Sequence, residues 1–248
     1  MQRATVVLVP GGFTGPWIWA EVVALLEQEG IPSIAIELPT IGEGNADADF
    51  YGDARAVREA LDRLDWPVLL CGHSYGCAVI TEAAAGPHPS VGHLLYLMAA
   101  VPSAGDTLVS LMAAAAEDAG GEAQEEGVIF REDGLAELDR EAAHQALFND
   151  CSPERAAEGL DRLRPGNVVS GGSQPLTGAA WTQLPATYVR GTEDRMPEAV
   201  APTFWEQHPE VIELPAGHCP NWSRPELVAE LLVRKASAAQ VEWQRSRR

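Results

Sequence analysis

The sequence predicts an α/β fold in which a mostly parallel central sheet is flanked by helices and interrupted by an inserted helical cap. Three observations carry that prediction. Short apolar, β-branched runs alternate with helix-like runs at spacings that suit right-handed crossovers between parallel strands. The alternation stops between about residues 101 and 181, and a G-x-S-x-G sits between one strand run and the helix run that follows it.

Core strands are read at residues 4–10, 32–38, 67–72, 92–99, 186–190 and 210–215, with helices at 17–29, 48–64, 75–86, 197–207 and 224–239. Gly30 and Gly86-Pro87 are the stop signals expected after helices. Ser223, with Glu226 three residues on, reads as a capping box opening the last helix. The interrupting stretch holds three helix-like runs, Leu108 to Ala119, Leu135 to Asp150 and Ser152 to Leu163. It follows the fourth core strand, so it is expected above the strand ends where open α/β sheets bind ligands. The expected organisation is a core of residues 1–100 and 182–240, a cap of 101–181 and a frayed tail of 241–248. Gly120-Gly121 and the acidic residues after it are expected to be the most mobile segment, and 168–177 a loop back into the core.

The chain has 248 residues, 46% of them hydrophobic, which is enough to fill one substantial core. A formal net charge of −19 argues against nucleic acid or an anionic membrane as a partner. No apolar run is long enough to span a bilayer. Met1-Gln2-Arg3 leads straight into the first strand, so no signal peptide and a cytoplasmic location are expected. Cys71, Cys77, Cys151 and Cys219 lack metal or redox spacing and are expected to be free thiols. Neither a metal nor a cofactor is called for, and a homodimer is left open.

Gly72-His73-Ser74-Tyr75-Gly76 follows the strand Pro67 to Cys71 and precedes the helix from Cys77. That context leaves a serine hydroxyl exposed on a sharp strand-to-helix turn, with unpaired helix N–H groups beneath it. The glycines allow a turn too tight for side chains. A nucleophilic serine needs a base, an acid to orient the base, and donors for an oxyanion. His218 lies on the loop Ala216-Gly217-His218-Cys219 after the strand Val211 to Pro215 and is the candidate base. Asp194, in the turn Gly191 to Arg195, is the candidate acid, with Glu193 as the fallback. An aspartate there is also a common turn former, but the order Ser74, Asp194, His218 is the one this strand–turn–helix nucleophile calls for. The N–H of Tyr75 and that of Gly12, in the loop Pro10 to Gly15, are the candidate oxyanion donors, with Phe13 as an alternative to Gly12. That loop is not a dinucleotide site: G-x-G-x-x-G would need glycine at position 10, where Pro10 stands, although Glu37 could imitate the ribose-binding acid.

Val7-Leu8-Val9-Pro10-Gly11-Gly12, Gly15-Pro16-Trp17-Ile18-Trp19, Gly72-His73-Ser74-Tyr75-Gly76, Gly191-Thr192-Glu193-Asp194 and Gly217-His218 together resemble α/β-hydrolases of the branch containing methyl-ester esterases and hydroxynitrile lyases. The resemblance runs from residue 4 to about 235 and is weakest in the cap. It implies an α/β-hydrolase fold, a triad of Ser74, His218 and Asp194, and an oxyanion hole from Gly12 and Tyr75. The lyases of this branch carry a threonine and a lysine where this chain has Gly11 and Cys219, and the sole lysine here is Lys235. Ester hydrolysis is therefore the expected side of the branch. Most members also have histidine at the position of Pro10, supporting the loop.

The expected reaction is acyl transfer from a small, largely apolar carboxylic ester to water through an acyl-enzyme. The alternatives are another reaction on the same triad, such as thioester or carbon–carbon bond hydrolysis, lyase chemistry or secondary-metabolite tailoring, or a slow-turnover ligand receptor. Candidates to line a substrate pocket are Phe13, Trp17, Tyr75, Met98, Met112, Phe130, Phe148, Trp181 and Cys219, although any one of them could simply pack the core.

Overall fold

The computed structural model describes residues 3–64, 67–98, 100–118, 127–167, 171–208 and 210–246. Its strands are β1 (Thr5–Val9), β2 (Ser33–Ala35), β3 (Val68–His73), β4 (Val91–Leu97), β5 (Ala100–Val101), β6 (Val128–Phe130), β7 (Ala136–Leu138), β8 (Ala186–Gly191), β9 (Ala199–Val200) and β10 (Val211–Leu214). Six of them form the central sheet in the order β10-β8-β4-β3-β1-β2, and every described pairing in it is parallel. Ser74 follows β3, which lies between β1 and β4 in the middle of the sheet.

Because successive side chains of a strand point to opposite faces, each central strand supplies two cores. Val7, Val9, Val68, Leu70, Leu94 and Tyr96 are buried on one face, against α2 (Phe50–Asp62) and α3 (Tyr75–Ala83). On the other face Val6, Leu8, Leu69, Cys71, Leu95 and Leu97 are buried against α1 (Ala20–Gln28) and the C-terminal helix (Pro225–Ser246). Each such valine or leucine contributes about 1.5–3 kcal/mol on burial, so the sheet is held from both faces. The helices open where the chain supplies caps. The Asp49 carboxylate accepts from the Gly52 N–H at 2.7 Å, and the Ser152 hydroxyl accepts from the Arg155 N–H at 3.3 Å.

The inserted stretch departs from the expected three helices. It contains α4 (Leu108–Asp118), α5 (Arg140–Leu147) and α6 (Pro153–Asp161), but Leu135 to Leu138 are not helical. Ala136 to Leu138 instead pair antiparallel with Val128 to Phe130, and the turn of this hairpin carries Gly134 at φ 85°. A side-chain bond to Asp139 caps α5 at the Glu141 and Ala142 N–H groups, so the helix cannot begin earlier. The segment expected to be mobile, residues 120–126, lies outside the described residues, as does part of the expected loop 168–177.

Three further boundaries differ. The helix expected at 197–207 is α7 (Pro202–Gln207), because Pro202 holds Ala201 extended and leaves Ala199 and Val200 free to pair with Ala100 and Val101. Ser223 is not a capping box: it ends the short α8 (Pro220–Ser223), and its hydroxyl donates to Asp150 at 2.6 Å. The helix α9 (Pro225–Ser246) continues through most of the expected tail, with His93 bonded to Glu242 at 2.7 Å and the Trp243 indole N–H donating to the Pro89 carbonyl at 2.8 Å. Among the described residues no helix is long and apolar enough to cross a membrane.

Two glycines in and beside β3 are packed tightly against backbone. A Cβ on Gly76 would sit 2.5 Å from the Pro10 carbonyl oxygen, and one on Gly72 would sit 2.6 Å from the Gly76 carbonyl oxygen. Both neighbours are backbone and cannot turn away. Gly76→Ala is therefore expected to lower the unfolding free energy by about 1–3 kcal/mol or more, read as an earlier urea midpoint; an unchanged midpoint would mean that the two loops are not locked together.

Candidate active site

Ser74 sits between β3 and α3 with φ 50° and ψ −121°, a backbone conformation that costs about 1–3 kcal/mol for a non-glycine residue. The surroundings enforce it. The Ser74 N–H donates to the Leu97 carbonyl at 3.1 Å, the Cys77 N–H donates to the Ser74 carbonyl at 2.9 Å, and the Cys77 thiol reaches the Gly72 carbonyl at 3.0 Å. The hydroxyl meets His218, whose Nε2 lies 2.9 Å from Ser74 Oγ. His218 Nδ1 in turn lies 3.0 and 3.2 Å from the two Asp194 carboxylate oxygens. The carboxylate accepts the Nδ1–H, which leaves Nε2 as an acceptor for the serine proton. Sequence reasoning placed these three residues on three separate loops, and the structure brings them into one hydrogen-bonded chain. Glu193, the fallback acid, bonds through its backbone: its carbonyl accepts from the Asn149 side chain at 2.9 Å and its N–H donates to the Ala216 carbonyl at 3.0 Å.

The electrostatics suit that chain. Burial alone would raise the Asp194 carboxyl, but the neighbouring His218 and the bonds from His218 and the Met196 N–H outweigh it and hold the group below its ordinary range. Burial, reinforced by His218, pushes the His73 imidazole down to about 3. His73 is thus neutral, and its Nε2–H donates to the His218 carbonyl at 2.8 Å, fixing the backbone behind the base.

The loop Pro10 to Gly15 lies directly against the serine turn. A Cβ on Gly11 would stand 3.2 Å from Ser74 Cβ and 3.0 Å from His73 Nδ1. The Thr14 hydroxyl donates to the Gly11 carbonyl at 2.8 Å, and Phe13 takes up φ 61°. Tyr75 is the first residue of α3, so its N–H has no carbonyl one turn back to bond. The Gly12 and Tyr75 N–H groups therefore belong to two loops packed on one another beside the hydroxyl.

The expected pocket residues separate. Met98 (φ 49°) is buried beside Gly191 at the strand ends, its sulfur 3.0 Å from where a Gly191 Cβ would be. Trp17 is half-buried, with its ring edge-on to Trp222 at 5.1 Å. Met112 lies half-buried on α4. Three further candidates lie at the extremes of burial. Trp181 and Phe148 are fully packed in the two cores, Trp181 against Phe204 and donating to the Pro102 carbonyl at 2.9 Å, Phe148 against Gly159. Phe130 is 62% exposed on the β6–β7 hairpin. Cys219 is buried beside the base, and burial, with Asp194 nearby, pushes its thiol well up, so it stays neutral. An open groove of about 690 Å³ runs along residues 37–48 to Arg164, and Ser74, Asp194 and His218 are not on its lining.

Two residues that sequence reasoning passed over hold these loops from the inserted stretch. The Asn149 amide binds the Glu193 carbonyl while its Oδ1 crowds Gly217, so it touches the residues immediately before Asp194 and His218. The Arg164 N–H donates to the Phe13 carbonyl at 2.8 Å, and its guanidinium donates to the Thr14 carbonyl at 3.1 and 3.3 Å and pairs with Glu37. These bonds hold the loop at Phe13 and Thr14 from the side of the inserted stretch.

Comparison with known proteins identifies the family and the fold. Residues 6–231 match the model of the alpha/beta hydrolase family. A probable hydrolase of a Phoma species is 30% identical over 95% of this chain and 99% of its own. A pyrethroid hydrolase of Sphingobium wenxiniae is 27% identical over 96% of this chain and 89% of its own. The crystal structure of a pyrethroid hydrolase from Sphingobium faniae superposes with a TM-score of 0.77 at 24% identity, covering 95% of this chain and 98% of that one.

Two measurements follow from the geometry. A carboxyl held below its ordinary range stabilises the fold above the usual carboxylate pKa, about 3.9, and that contribution disappears as pH falls through the lower folded value. The stability gap between the wild type and Asp194→Asn, measured by urea unfolding, should therefore be widest near neutrality and shrink below about pH 4; a gap independent of pH would mean that the carboxylate is not held ionised. At Ser74 the positive φ predicts that Ser74→Gly unfolds later than Ser74→Ala, by about 1 kcal/mol; the reverse order would show the turn to be unstrained.

Proposed function

The chain belongs to the alpha/beta hydrolase family, and from that premise we propose that it is a serine esterase cleaving small, largely apolar carboxylic esters through an acyl-enzyme. The observation that carries the reading is the continuous Ser74–His218–Asp194 chain, with bonds of 2.9 and 3.0 Å, on a strained strand-to-helix turn. His218 Nε2 takes the serine proton as Oγ attacks the ester carbonyl, and Asp194 fixes the tautomer and stabilises the imidazolium. The Gly12 and Tyr75 N–H groups receive the charge on the carbonyl oxygen. His218 then protonates the departing alcohol, and a water activated by the same imidazole releases the acid.

Two points support an ester over a cyanohydrin. The position after the base is Cys219, buried and uncharged, so no cation stands there to hold a cyanide leaving group. Lys235 donates instead to Thr187 at 2.8 Å, on the strand β8. Relatives named as a pyrethroid hydrolase and as methylesterases lend weight to an ester substrate. Small-molecule esters are accordingly the proposed partners, and no cofactor enters the reaction.

The test is hydrolysis of p-nitrophenyl esters of increasing acyl length by the wild type and Ser74→Ala. Ser74→Ala and His218→Ala should each lose on the order of 10⁴-fold or more in kcat while remaining folded. Turnover that survives in Ser74→Ala would remove Ser74 from the chemistry. A well-folded wild type that turns over none of the esters would favour another reaction on the triad or a ligand-binding role.

A further inference from the structure

Asp53 is the one acidic side chain among the described residues with no exposed surface at all, and the proposed chemistry does not use it. It lies on the buried stripe of α2 with Phe50, Ala54, Val57 and Leu61, where an apolar residue would cost nothing to bury. Three donor groups on two residues account for it. Oδ1 accepts the Thr40 N–H at 2.9 Å, and Oδ2 accepts the Thr40 hydroxyl at 2.6 Å and the Tyr75 hydroxyl at 2.8 Å. Every partner is a donor, so the carboxylate form is the one that satisfies all of them, although burial raises the group.

These partners sit on two segments that border the site. Tyr75 follows the nucleophile, and its ring, edge-on to Phe50 at 6.4 Å, is pinned at the far end by the carboxylate. Thr40 follows β2, and its carbonyl accepts the Asn167 N–H at 2.8 Å, tying the segment that returns from the insertion to the same anchor. The Tyr75 N–H makes no intrahelical bond of its own and shares a peptide unit with the Ser74 carbonyl, which accepts the Cys77 N–H at 2.9 Å, so the Tyr75 side chain is a second hold on its direction. We propose that Asp53 is a positioning residue that aims the Tyr75 N–H at the developing oxyanion by clamping the Tyr75 side chain to the Thr40 segment. The inference rests on the reading of Ser74 as nucleophile and deepens it, because a donor displaced by about 1 Å can cost on the order of 10²-fold in rate.

Asp53→Asn keeps the shape but places an NH₂ where a hydroxyl must donate. Tyr75→Phe removes only the hydroxyl, leaves the N–H in place, and guards against a folding failure of the first variant. Each is expected to lower kcat about 10- to 100-fold with KM changed less than about threefold. Each should also weaken an alkyl boronic acid, which imitates the tetrahedral state, by the same factor as kcat/KM, and slow labelling of Ser74 by a fluorophosphonate. A merely structural Asp53 would lower Tm and leave the kcat and boronate affinity of folded enzyme within twofold of wild type, and that result overturns the proposal. Wild type that is not labelled by the fluorophosphonate would instead overturn the nucleophile itself, and the inference with it. Wild type and both variants labelled at equal rates would overturn the clamp alone.

Discussion

The rest of the site depends on the close approach of two backbones: the turn at Ser74 and the loop after β1. At Gly76 the helix start lies so near the Pro10 and Val9 carbonyls that a single methyl group would collide with both. That approach lays the turn at Ser74 directly against the glycine loop, where a Cβ on Gly11 would stand 3.2 Å from Ser74 Cβ. It is possible only because β1 and β3 are adjacent, parallel and in register, with Val9 opposite Gly72. The positive φ at Ser74 is the local cost of that geometry, and the two buried cores on either side of the sheet offset it.

Around this fixed centre the remaining groups are held by polar anchors rather than by packing alone. His73, neutral and buried, secures the backbone of His218. Arg164 secures the glycine loop by its N–H and its guanidinium, and its ion pair with Glu37 closes that support on β2's exit. Asn149 lies between the loops of Asp194 and His218. Each anchor is a hydrogen bond to a carbonyl, which fixes a loop's direction as well as its distance.

The middle of the central sheet was legible because β1, β3 and β4 are largely apolar runs, as strands covered on both faces must be. Ser74, His218 and Asp194 were legible because each follows a strand at a glycine-bearing turn. What the sequence did not disclose had no local signature. Ala136 to Leu138 carry the same residue types as a helix, and only pairing with Val128 to Phe130 decides their state. Ala199 and Val200 turned extended because of Pro202 and a partner a hundred residues away. Trp181, Phe148 and Phe130 are equally apolar in the sequence, yet two fill cores and one faces solvent, a choice made by tertiary packing. Asp53 did leave a trace, an acid on an apolar helical stripe, but its partners Thr40 and Tyr75 are remote in the chain.

The anchoring of Asn149 and Arg164 gives the inserted stretch a second identity. A lobe that merely covered a site could be exchanged between related chains as a module, altering what enters and nothing else. Here the inserted stretch grips the Glu193 carbonyl beside Asp194 and the Thr14 carbonyl of the glycine loop. Exchanging this stretch for a foreign one would therefore remove hydrogen bonds that hold the core's own loops, so its sequence is tied to theirs.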